Sequence, residues 1–451
     1  MPDDPRDEPE AADNDDFRDM LREFLSGDGD MDPAKLASAA GLPSDPALVA
    51  RLISQLQDAL SNTNDGVNWD LALEQATTLA ARGAVPSTAD ERSAFDSALH
   101  VAALWLDEAT DIAGLTREPV LLNRSGWAES TMPVWTQLAE PVATSIADAL
   151  TEVLEESLPE DASGMFGADP AKLLRNVGGT LFAMQLGQVV GQLAAEVVSG
   201  GDIGIPLSDG DERQAVIVPQ NVDAFGAGLD IPLDEVRIYL SVRELAHARL
   251  FRHAKWLRLQ LISQITDFAH GIHVDTEQIE NLAAQFDPNN PEELRDAVTS
   301  GALIPPKSEE QLAALARLET QLALIEGWVD VVTASATARL PKSGAIAETV
   351  RRRRASGGPA ESAFATLVGL ELRPRRLREA AAMWQQVSDA VGADARDALW
   401  AHPDVLPTAA DIDDPAALIA RLTSTEPAED DVDRAIADLL GDESGDRPRE
   451  E

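Results

Sequence analysis

The feature that most constrains this chain is the period of its apolar residues, which recur at intervals of three and four over most of its length. The spacing holds in Val49–Leu60, Trp69–Arg82, Ala94–Ala109 and Trp127–Leu158, and again in Ala171–Val198, Val236–Ala269, Glu309–Thr333 and Leu377–Val391. Such spacing places the apolar side chains along one stripe of a helix, which must then be buried against something. Strand signals are scarce. The β-branched run AVIVPQNV at 215–222 is the best of them, with IPL at 205–207 as a candidate partner. Proline and glycine clusters at Gly200–Asp211, Asp287–Pro291, Gly301–Pro306 and Ser356–Pro359 mark loops. The expected architecture is mostly α with a small β element and a helical N-terminal part over 17–160. The acidic stretches 1–16 and 426–451 are expected to be disordered tails.

With 44% hydrophobic residues, the chain can bury a real core despite its charge. That charge is 36 − 79 = −43, a field that repels nucleic acid and anionic membrane, so neither is expected as a partner. The absence of cysteine excludes disulfides, thiolate metal sites and cysteine nucleophiles. The first residues lack the basic and apolar regions of a secretory signal, and the expected location is cytoplasmic. One segment, Val177–Val198, is long and apolar enough to test for membrane spanning, and its Gly179, Gly187 and Gly191 suit close helix packing. Gln185, Gln188, Gln192 and Glu196 form a polar stripe along it, which fits a half-exposed or site-lining helix instead.

The stretch with chemical content is Ile231–Leu261, which carries Arg243-Glu244-Leu245-Ala246-His247 near its middle. A zinc peptidase helix places two histidines four residues apart on one face, with a glutamate after the first as base on the metal-bound water. Here Glu244 stands in the base position and His247 in that of the second ligand, but Arg243 stands where the first ligand belongs. Downstream, Glu326 and Asp330 fall on one face of an apolar helix, with Glu319 two turns earlier. Acids so placed call for a cation, a partner or water.

A series of further runs surrounds these two helices: NWDLA at 68–72, NRSGWAESTMPVW at 123–135, VPQNVDAF, RLFRHAKWL, LVGLELR, and HPDVLPTAADIDDP. In order and spacing they resemble the zincin-like family of actinobacterial hydrolase-like proteins, one associated by name with deazaflavin-cofactor biosynthesis. The resemblance covers roughly 17–425 and rests on no single motif. It implies a zincin-like metallopeptidase fold, with a metallopeptidase-like core over 165–425. It also implies zinc as cofactor, Glu244 as general base, His247 and Glu326 as metal ligands, and Asp330 as the group that orients a ligand histidine. The substrate is not implied; a peptide or protein, as substrate or as partner, is the class expected. No organic cofactor site is expected, since no phosphate loop or dinucleotide fingerprint is present.

Arg243 opposes the zinc reading. A +2 ion beside a +1 guanidinium at about 6 Å costs roughly 5 kcal/mol at an effective dielectric near 20. His253, His270 and His273 are the candidate replacement ligands, the first on a different helix face from His247. Two readings therefore stand together: a zinc-dependent metallopeptidase-like hydrolase with an incomplete site, or a non-catalytic zincin-fold binding or scaffolding protein in which the Arg243 guanidinium replaces the metal. Blander roles stand beside both: a hydrogen-bonded helix histidine for His247 and a solvated helix face for Glu326 and Asp330. The arginine-rich runs at 249–258 and 351–354 are expected to pair with acids within the chain rather than with nucleic acid. Most tryptophans are spaced as core anchors, with Trp256 and Trp328 close enough to the motifs to bear on the site.

Overall fold

The computed structural model describes residues 67–157, 170–207, 214–270, 307–371 and 373–424. The chain is mostly α, as its periodicity predicts. Helices α1 (Trp69–Ala81) and α2 (Ala89–Asp107) come first, each started by local chemistry. Asn68 accepts the Leu71 N–H, and Thr88 forms a reciprocal capping box with Glu91. Next come β1 (Val120–Leu121), α3 (Arg124–Ser157), α4 (Pro170–Glu196), β2 (Val216–Ile217) and α5 (Pro219–Ala227). Helices α6 (Leu233–His253), α7 (Lys255–His270) and α8 (Glu309–Ala336) follow, the last capped by Ser308 and Gln311. The described part closes with α9 (Ser343–Ser356), α10 (Pro359–Val368), α11 (Leu377–Ala398), a 3₁₀ turn at Pro403–Val405, α12 (Ala409–Asp413) and α13 (Pro415–Thr423). The expected helix at 49–60, the tails at 1–16 and 426–451, and the loops at 287–291 and 301–306 lie outside the described residues.

Four expectations are corrected. The run AVIVPQNV is not one strand: only Val216 and Ile217 are, because Pro219 has no N–H for a ladder and its fixed φ starts α5 instead. Its partner is not IPL but Val120–Leu121, paired in parallel with Val120 opposite Val216 and Leu121 opposite Ile217. The period from 236 to 269 is interrupted, since Ala254 leaves helical geometry at φ −90° and ψ 71° while staying buried. This break lets α7 pack on α3 while α6 packs on α2 and α8. Finally, the Ser356–Pro359 loop shrinks to two glycines between α9 and α10.

The glycines of the apolar segment 177–198 serve packing within the bundle. A Cβ on Gly187 would sit 2.5 Å from the Ala72 carbonyl oxygen, and one on Gly191 would sit 2.9 Å from that of Ala76. Helices α1 and α4 therefore meet through alanines and glycines, backbone against backbone. Gln188 is exposed, and no described helix is long and apolar enough to cross a membrane. The short parallel pair and a 2.7 Å hydrogen bond from Arg124 Nε to Asn221 Oδ1 tie the NRSGW run to the VPQNV run. The amide of Asn221 in turn donates to the Ala194 and Val197 carbonyls, fixing the end of α4 where the chain turns towards α6.

Candidate functional site

Helix α6 is the centre of the molecule. It is surrounded by α2, α5, α8, α9 and β2, and every residue from Tyr239 to Phe251 is buried. Its polar residues therefore lie where an unpaired charge costs most, and each of the three motif residues has found a partner.

Arg243 projects towards α8 and ion-pairs with Glu326 Oε2. His247, one turn on, sets Nε2 3.1 Å from Glu326 Oε1, and its Nδ1 lies 3.1 Å from the Arg243 carbonyl oxygen. A third positive group, Arg354 of α9, approaches Glu326 Oε1 at 3.8 Å and donates to the Ile203 carbonyl at 2.8 Å. Glu326 is completely buried. Burial alone would push its carboxyl up, but Arg243, Arg354 and His247 together hold it well below the usual carboxylate range. Desolvation likewise opposes the charge on Arg243, and Glu326 overcomes it to raise the guanidinium pKa.

Glu244 faces the other way. Its Oε1 accepts the Val216 N–H and its Oε2 the Gly201 N–H, both at 2.8 Å. Burial raises its pKa, and these backbone donors together with His247 and Ser199 work against that rise. Glu244 thus clamps β2 and the segment Ser199–Leu207 onto α6. That segment lies directly over the motif: a Cβ on Gly201 would fall 2.8 Å from His247 Cβ and Cγ. At Gly204, where φ is +83°, a Cβ would fall 2.7 Å from Glu326 Oε1. The opening beside Glu244 and His247, lined by Gly200, Gln214 and Phe251 among others, has a volume of about 30 Å³.

The structure therefore brings Arg243, His247 and Glu326 together, with Glu244 behind them on the strand side. Asp330 does not join them through the histidine. It is gripped by Arg351, whose Nε and Nη2 reach its carboxylate at 2.7 to 3.1 Å. Glu326 and Asp330 are buried, and Glu319 stands apart against Arg375 at 3.5 Å. His253 is exposed at the end of α6, and His273 and the His270 side chain lie outside the described residues. Trp328 donates to Asp397 at 2.8 Å and Trp256 to the Trp400 carbonyl at 3.2 Å, so both serve the core. The arginines at 351–354 find acids within the chain: Asp330, Glu348, Asp202 and Glu326 respectively. Arg249 does the same with Asp107.

Sequence reasoning missed Arg354, read as the end of a basic run, and it missed Gly201, Gly204 and Asp202 in a loop noted only for its glycines. Tyr239 was missed as well. Its buried hydroxyl, within the fields of Arg243, Asp330 and Arg351, has no hydrogen-bond partner among the described residues, and burial pushes its pKa up to about 12.

Zinc does not fit the residues as they stand. Three protein ligands and an open water position are the usual requirement. Among the described residues, no three His, Asp or Glu side chains converge in a way that could hold a metal ion. Both oxygens of Glu326 face cationic or donor groups, and both oxygens of Glu244 are taken by backbone N–H groups.

A sequence profile described as zincin-like metallopeptidase matches residues 67–419. Among curated proteins none matches the chain. A crystal structure of a "putative hydrolase with a novel fold" from Chloroflexus aurantiacus shares the fold, with a TM-score of 0.54 and 19% identity. That similarity covers 80% of this chain and 100% of the other.

Proposed function

Because the chain belongs to the zincin-like metallopeptidase family, we propose that it is a member in which an arginine has taken the place of the catalytic zinc, and that it acts by binding rather than by metal-dependent hydrolysis. The observation that carries this reading is the Arg243–Glu326 ion pair, with His247 on the second oxygen of the same carboxylate. A guanidinium in that position satisfies the acid that would otherwise ligate the metal. A zinc ion bound to Glu326 would lie about 4 Å from the guanidinium, a repulsion of roughly 8 kcal/mol at an effective dielectric near 20. The Glu244 carboxylate, held by two backbone donors, serves as a clamp between α6 and the segments carrying Gly201 and Val216.

The cover over the motif supports the same reading, since Ser199–Leu207 packs closely against His247 and Glu326. Among the described residues, an opening with space for a ligand lies beyond Asp330, a cleft of about 410 Å³ among α8, α9 and α11. Asp330 and Glu348 face Arg351 and Arg378 across it, over a floor of alanines. That lining suits a polar peptide segment of a partner protein.

The test is the metal content of the purified full chain, measured by elemental analysis with His247→Ala as control. The expected result is no zinc in folded, chelator-insensitive protein. Stoichiometric zinc that disappears in His247→Ala returns the chain to the hydrolases of its family and overturns this reading.

A further inference from the structure

We infer that the charge of the absent divalent cation is divided between two arginines, Arg243 of α6 and Arg354 of α9, so that Arg354 is the second determinant keeping metal out. The inference rests on the reading of Arg243 given above and extends it to a residue outside the motif.

Glu326 holds a different cation on each side. Arg243 pairs with Oε2, while Arg354 approaches Oε1, the oxygen that also faces His247 Nε2. Any metal held by His247 and Glu326 would lie between those two atoms, and therefore beside Arg354. Arginine 354 cannot withdraw easily. It is buried, its Nη2 is tied to the Ile203 carbonyl at 2.8 Å, and its Nη1 lies 3.9 Å from Glu361. The backbone at Gly204 closes over it, since a Cβ there would fall 3.1 Å from Arg354 Nη2 as well as 2.7 Å from Glu326 Oε1. Exposed Arg243 and Arg354 side chains could swing away from an arriving ion; these are walled in. Restoring a histidine at position 243 replaces the missing ligand but removes only half of the opposing charge.

The experiment uses the full-length chain and zinc ion alone as the probe, with affinity measured by chelator competition and folding by circular dichroism and urea titration. Arg243→His is compared with two double variants, Arg243→His/Arg354→Met and Arg243→His/Arg354→Lys. Methionine keeps the length without charge, and lysine keeps the charge. The expected result is zinc binding at least about tenfold tighter in the methionine double variant than in Arg243→His, the size of one charge against a divalent ion even at the dielectric of water. The lysine double variant should bind no more tightly than Arg243→His. Equal affinity in Arg243→His and the methionine double variant overturns the role of Arg354 and leaves the reading of Arg243 standing. A folded methionine double variant that takes up no zinc overturns it too. Should methionine at 354 prevent folding, Arg354→Gln repeats the comparison with the polar contact to Ile203 retained. Zinc in the wild-type chain that depends on His247 overturns the reading of Arg243 itself.

Discussion

Replacing Glu326 with glutamine, isosteric but uncharged, probes the buried ion cluster directly. The wild-type carboxylate faces Arg243, Arg354 and His247 with no exposure to water. A contact pair at about 3 Å is worth roughly 5 kcal/mol of attraction at an effective dielectric near 20, set against the desolvation of both partners. Removing only the acid leaves Arg243 buried and unpaired, and loss of one partner from such a pair costs about 3–5 kcal/mol. Glu326→Gln should therefore lose about that much stability in urea titrations followed by tryptophan fluorescence. The double variant Arg243→Met/Glu326→Met removes both charges. It should recover at least about 2 kcal/mol of the loss, because apolar side chains of similar volume replace buried ion pairs at little cost. The effect has a defined pH window. The Glu326 pKa is depressed in the folded chain, so its stabilisation is fully present above the unfolded value near 4.3 and is lost as pH falls through the folded value. The gap between wild type and Glu326→Gln should thus stay constant from about pH 5 to 8 and close progressively below about pH 4. A cost under about 1 kcal/mol, the range of an exposed pair, would refute the ion-cluster argument. So would a gap that ignores acid pH.

Tyr239 is the single tyrosine of the chain, so tyrosinate absorbance reports it alone. In native protein it should ionise near pH 12, and in urea near the ordinary value of about 10; a native titration at 10 would mean its hydroxyl is exposed. Because the folded pKa is the higher one, stability should decline as pH rises from about 10 to 12. Gly204→Ala combines a positive φ with a contact of 2.7 Å to Glu326 Oε1. It should cost at least about 2 kcal/mol of unfolding free energy, and a neutral result would show that the segment over the motif can move aside.

The helical class of this chain was legible in its sequence because one-sided burial writes a 3.6-residue period into any helix that packs. Arg243, Glu244 and His247 were singled out by their likeness to a metallopeptidase helix, a short pattern that gains weight only from the runs around it. Sequence also showed that the motif had an arginine where a ligand belongs. Which acid that arginine meets is a matter of tertiary structure. Glu326 lies 83 residues away and Arg354 further still, and only the packing of α8 and α9 on α6 makes them neighbours. The two strands were illegible for a related reason, since a pair of two-residue strands carries no alternation to read. Local patterns record what each segment does with its own surface. Which charges neutralise one another in the interior, and hence whether a cation site remains open, is settled by contacts between segments far apart in the chain.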